Sequence, residues 1–171
     1  MILQIAGGAT IVVATSLLGW HFGGLGAKRA RDLLEFKKSL IMLKSQIDYT
    51  IYTLPQAFLH ISERVVPPFD IFYTKISQEL EDSRGDISTI WGQAVSRLRF
   101  SYLHKNDMDN IALLGTSLGL ADVDVQINSI DMVITTIDDT LTKLGVQNAK
   151  DAKMYRGLGV VAGLLITIVL L

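Results

Sequence analysis

Residues 123–171 read VDVQINSIDMVITTIDDTLTKLGVQNAKDAKMYRGLGVVAGLLITIVLL, with no proline anywhere in the run. Its first half carries Val125, Ile127, Ile130, Val133, Ile134, Ile137, Leu141 and Leu144 among its apolar residues. Their spacing follows a helical period rather than alternation. From Gly157 to Leu171 there is no charged side chain at all. The stretch therefore predicts one helix, starting near Val123, amphipathic at first and wholly apolar at its end, with Gly145 as a weak point. At 1.5 Å per residue the uncharged run extends about 22 Å, short of a bilayer core of about 30 Å. Met154 and Tyr155 lengthen it, and Lys153 and Arg156 can snorkel to the interface. A core helix, or a tail lying against the first uncharged run, is the rival reading. An apolar tail ending at a free terminus has little use in water, so 157–171 is expected to be a C-terminal transmembrane helix.

The other end matches. All Lys, Arg, Asp and Glu fall between Lys28 and Arg156, which leaves residues 1–27 uncharged. That run is long enough, about 25 apolar residues or 38 Å, to span with some tilt. A cleaved signal peptide would need basic residues before a shorter apolar core; here they come after it. Residues 1–27 are thus expected to form an N-terminal transmembrane helix and 28–156 a cytoplasmic helical bundle domain. Lys28, Arg29, Arg31, Lys37 and Lys38 follow the first run, and Lys143, Lys150, Lys153 and Arg156 precede the second. The positive-inside rule puts the middle domain in the cytoplasm and both termini outside. Gly19 with Gly23, and Gly159 with Gly163, stand at the i, i+4 spacing that lets helices approach closely in lipid. They are candidate transmembrane helix-packing positions.

The middle domain also reads as helical. Apolar residues at 33, 36, 40, 43, 47, 51 and 54 are spaced by three and four, which predicts a long first helix from Ile2 to about Thr53. Pro55 suits the first turn of a short second helix to about Val65, and Pro67-Pro68 ends it. A third helix is expected over Phe69–Asp82, with Phe69, Phe72, Ile76 and Leu80 on one face. A fourth follows a cap at Asp86 or Ser88, with Ile87, Ile90, Trp91, Val95 and Leu98 inward. A fifth spans about Asp107–Leu118. Gly119 fits a helix-ending position with positive φ, and Asp122 fits the N-cap of the sixth. No hairpin turn or sustained alternation argues for strands. The expected fold class is all-α: a bundle of about six helices whose first and last members extend into the two transmembrane helices.

Chemistry is hard to find. There is no cysteine, which rules out disulfides, thiolate nucleophiles and Cys-bound zinc. His21, His60 and His104 are far apart in sequence, and no H-E-x-x-H pair occurs. Glu81/Asp82 and Asp138/Asp139 are adjacent pairs, which do not face each other on a helix. The run D-V-D-V-Q at 122–126 lacks the glycine and distal glutamate of a calcium loop. A net charge of -1 argues against nucleic acid as partner. No catalytic residue, cofactor site or metal site is expected, and the residues read as a membrane-anchored interaction module rather than an enzyme.

Three stretches carry a family resemblance. LIMLKSQIDYTIYTLP at 40–55 resembles the first helix of the stage III sporulation protein AB family, with Gln46 where the family usually has Glu. GTSLGLADVDVQ is similar to its G-x-x-L-G-x-x-D-x-x-x-Q pattern, matched by Gly115, Leu118, Gly119, Asp122 and Gln126. KMYRGLGVVAGLLITIVLL resembles its terminal membrane segment. The resemblance implies a non-enzymatic platform in the complex that joins mother cell and forespore, in the outer forespore membrane. It implies likeness to the inner-membrane platform protein of type II secretion and type IV pilus systems. The implied partners are the membrane, the stage III sporulation ATPase AA, other membrane proteins of the same complex and, as an option, further copies of this chain. The five motif residues form a helix–turn–helix element and a candidate partner contact. The alternative reading is a small two-span adaptor or regulatory receptor unrelated to secretion, which a sporulation block after engulfment in a knockout would exclude.

Overall fold

The computed structural model describes residues 24–49, 52–82, 85–97, 102–120 and 122–170, together with Gly7, Thr10, Val13, Ala14, Thr15 and Leu17. Six helices run through them: α1 (Leu25–Asp48), α2 (Leu54–Ser62), α3 (Phe69–Asp82), α4 (Ile87–Arg97), α5 (Lys105–Leu118) and α6 (Val123–Leu170). No strand occurs among the described residues, so the all-α expectation holds. Contacts group the chain into two compact units, one of residues 1–30 with 141–171 and one of residues 31–140.

Short-range chemistry accounts for the helix starts, although α5 begins at Lys105, two residues before the expected Asp107. Thr53 is the extended residue before α2, and its N–H donates to Gln56 Oε1 at 3.3 Å, half of a capping box. Pro55 sits in the first turn, where its missing N–H costs nothing. His104 precedes α5, and its N–H donates to Asp107 Oδ2 at 2.9 Å. α1 ends at Asp48, five residues before the expected Thr53. Tyr49 already forms a turn, and the Thr53 cap commits the chain to α2. α6 continues unbroken through Gly145, where a Cβ would meet nothing within 4 Å; the expected weak point does not interrupt it.

Within residues 31–140, α2 packs on α3, α3 on α4 and α4 on α5. The centre is aromatic. Phe58, Phe72, Tyr73 and Trp91 are fully buried, and Phe72 meets Trp91 edge to face at a centroid distance of 5.0 Å. Each such side chain contributes about 1.5–3 kcal/mol on removal from water. Ser39 is the polar member of α1's inner face. Its hydroxyl donates to the Phe36 carbonyl at 2.6 Å, so the 2.6 Å contact with Tyr73 must use the tyrosine as donor. Leu80 lies only part-buried rather than inward. Leu98 and Gly23, like Gly19, lie outside the described residues.

α1 and α6 are joined by two ion pairs, Lys37–Asp138 at 2.6 Å and Lys44–Asp131 at 2.6 Å. One partner climbs seven residues while the other descends seven, which is the register of antiparallel helices. On α1 the buried Leu33, Phe36, Leu40 and Leu43 repeat at the same interval, as do Ile130 and Ile137 on α6. α1 also holds the α2–α3 connection. Lys38 donates to the Arg64 carbonyl at 2.8 Å, and Glu35 accepts from the Val66 N–H at 3.2 Å.

Among the described residues no helix is long and apolar enough to cross a membrane. The two expected spans therefore rest on the sequence.

Candidate functional site

The five motif residues come together at the α5–α6 turn, and each has a structural task there. Gly115 is buried in α5 against Trp91: a Cβ at this position would lie 2.6 Å from the indole Cγ. The same indole donates its Nε1–H to the Ile111 carbonyl at 2.6 Å. Trp91 therefore lies across the backbone of α5 at the one turn where a side chain is absent. Leu118 is fully buried at the end of α5.

Gly119 corrects an expectation. Its φ is -88°, an ordinary right-handed value, and no described glycine has positive φ. Glycine is required for space instead, because a Cβ would approach Ile87 Cγ2 to 2.8 Å and Asp86 Oδ1 to 3.1 Å. The close approach packs the start of α4 on the end of α5. Asp122 caps α6 as expected, accepting the N–H groups of Asp124 at 2.9 Å and Val125 at 3.3 Å through Oδ1. Gln126 is buried, and its Nε2 donates to the Leu120 carbonyl, closing the turn from the α6 side.

Gly159 and Gly163 lie within α6, and Gly19 and Gly23 outside the described residues, so the glycine-packing reading is carried by sequence alone. Gln46, the departure from the family pattern, has its Oε1 buried without a donor among the described residues.

Sequence reasoning missed the counterparts of the motif. Apolar spacing places Ile87 and Trp91 inward, but nothing in it ties them to Gly115 and Gly119. A large aromatic in one helix and a lone glycine mid-helix in another is the only signal available.

The acidic side chains around the turn are dispersed. No group of three His, Asp or Glu able to hold a metal occurs among the described residues. Asp138 is taken by Lys37, while Asp139, Glu81 and Asp82 lie toward solvent on their helices. A shallow cleft lined by Leu33, Asp107, Ile111, Val133, Ile137 and Thr140 has one acid, which caps α5. The arrangement can set the angle of two helices and present their turn.

Comparison with known proteins supplies a family. The model of the stage III sporulation protein AB family matches residues 4–171. Stage III sporulation protein AB of Bacillus subtilis (strain 168) is 25% identical over 170 residues, covering 99% of each chain. A solved structure of stage III sporulation protein AB (SpoIIIAB) superimposes with a TM-score of 0.66 at 19% identity, over 71% of this chain and 97% of that one, and so shares the fold. These relatives are named for sporulation and for no catalysed reaction. With a match that runs over nearly its whole length, this chain belongs to the stage III sporulation protein AB family and takes part in sporulation.

Proposed function

We propose that the protein is a non-enzymatic membrane platform of the mother cell–forespore complex. Its two uncharged ends anchor it in the outer forespore membrane, and its middle domain docks the stage III sporulation ATPase AA in the cytoplasm. The observation that carries this reading is the fixed register of α1 and α6 through Lys37–Asp138 and Lys44–Asp131. These are the helices that lead toward the uncharged runs at 1–27 and 157–171. A load on the bundle reaches both ends through helices that cannot slide independently without breaking charged contacts. The family and the sporulation name support the setting.

The test is co-purification. The full chain, extracted from membranes with mild detergent, should retain the ATPase in at least one of the nucleotide-free, ADP and non-hydrolysable ATP states. Loss of the ATPase in all three removes the docking reading, while the membership in the family stands.

A further inference from the structure

Charge is segregated along this chain. Residues 24–40 and 141–156 hold nine Lys and Arg against three Asp and Glu, whereas residues 41–140 hold seven against fourteen. Much of the basic excess lies on one face of α6. Lys143 and Lys150 are seven residues apart and Lys153 is three further on, so at 100° per residue the three fall within an arc of about 80°. All three are exposed, while Leu144 is buried and lies about 100–180° away from them. Position 151, the one acidic position in 141–156, falls about 80° beyond the Lys143 edge of the arc, on the same side as Leu144. Lys28 and Arg29 belong to the same compact unit but make interactions of their own, so the three lysines carry the argument.

We infer that the Lys143–Lys150–Lys153 face binds the headgroups of anionic phospholipids. The inference rests on the reading of 157–171 as a membrane span, which begins four residues beyond Lys153. Each ammonium is a compact charge with three donors and no acceptor, drawn more strongly to a phosphodiester with a net negative charge than to one offset by a headgroup cation. The acidic excess over 41–140 is repelled by the same headgroups, so charge favours contact through this face alone. One Lys near an anionic surface is worth about 1 kcal/mol, about fivefold in affinity. Three give a preference on the order of a hundredfold at low salt.

The test uses the full chain in mild detergent, offered equimolar phosphatidylglycerol and phosphatidylcholine, with bound lipids counted by native mass spectrometry. Phosphatidylglycerol adducts should dominate by at least about tenfold. The triple variant K143Q/K150Q/K153Q should bring the ratio near one, and K143R/K150R/K153R should keep it, with helicity by circular dichroism equal in all three. A ratio near one in the unaltered chain overturns the inference. So does a preference that survives the Gln variant, is lost equally in the Arg variant, or is abolished by inorganic phosphate. A chain that binds neither lipid and stays dispersed without detergent overturns the membrane reading as well, which separates the two failures.

Discussion

At Gly115 the missing side chain decides how α4 and α5 meet. Alanine is ordinarily better than glycine inside a helix by about 1 kcal/mol. Here the added Cβ would lie 2.6 Å from Trp91 Cγ and 2.8 Å from its Cβ. These are the inner atoms of a fully buried indole that is also held by its bond to Ile111, so the ring cannot swing aside. Overpacking of this kind costs about 1–3 kcal/mol, and the clash outweighs the propensity gain. Gly115→Ala should therefore lower the unfolding midpoint. In a Trp20→Phe background, the remaining Trp91 fluorescence should shift with it. At Gly92, in the interior of α4, an added Cβ would meet nothing within 4 Å, so Gly92→Ala should stabilise by about 0.5–1 kcal/mol. Equal effects at the two glycines would refute the packing account. Tyr73 gives a test by pH. Burial pushes its hydroxyl well above the ordinary value. A group raised on folding contributes stability that is complete below its unfolded value, about 10, and is lost as pH climbs above it. Tyr73→Phe should cost about 1 kcal/mol at neutral pH yet flatten the decline above pH ~10, as denaturant titrations at pH 7 and pH 10.5 would read.

At the scale of helices, much of the fold is legible in the sequence because apolar spacing and caps are local signals. α3 begins and ends where its pattern does, and Asp122 caps α6. Sequence reading fails where distant residues decide. Gln126 is buried on α6 where Val125 is exposed, because its amide is satisfied by Leu120, which a count of apolar residues does not register. Gly119 reads as a backbone requirement, and its real neighbour, Ile87, is thirty-two positions away in sequence. The α1–α6 ion pairs link residues separated by 101 and 87 positions, beyond any sequence window. Two predictions belong here. Asp122→Ala removes the acceptor for two N–H groups and should cost about 1 kcal/mol, recovered in part by Asp122→Ser. Lys44 and Asp131 are 35% and 46% exposed, so solvent screens them and their coupling should be only about 0.2–1 kcal/mol. A double-mutant cycle with Lys44→Met and Asp131→Asn should give that value at low salt and less at 0.5 M salt. Coupling of zero at both would mean the pair does not hold the register.

For the whole molecule, the distribution of charge makes the strongest prediction. Five basic residues between 28 and 38 follow the first uncharged run, and four between 143 and 156 precede the second. The uncharged runs themselves have none. Orientation in a membrane follows Lys and Arg close to the spans, so both ends of the middle domain press for the same side, and the two signals reinforce rather than oppose. A phosphatase reporter fused after Leu171 should be active, because it is exported, while the same reporter inserted at Gly85 should be inactive. A fluorescent protein that matures only in the cytoplasm should give the reverse at both sites. On the proposed two-span reading, the short second run is the more vulnerable anchor. Placing a charge within it, as in Leu165→Arg, should cost about 2.5–3.5 kcal/mol near the centre of the span and bring the Leu171 reporter into the cytoplasm without moving the one at Gly85. Phosphatase activity at Gly85, or none at Leu171 in the unaltered chain, would reverse or remove the two-span topology on which the platform role depends.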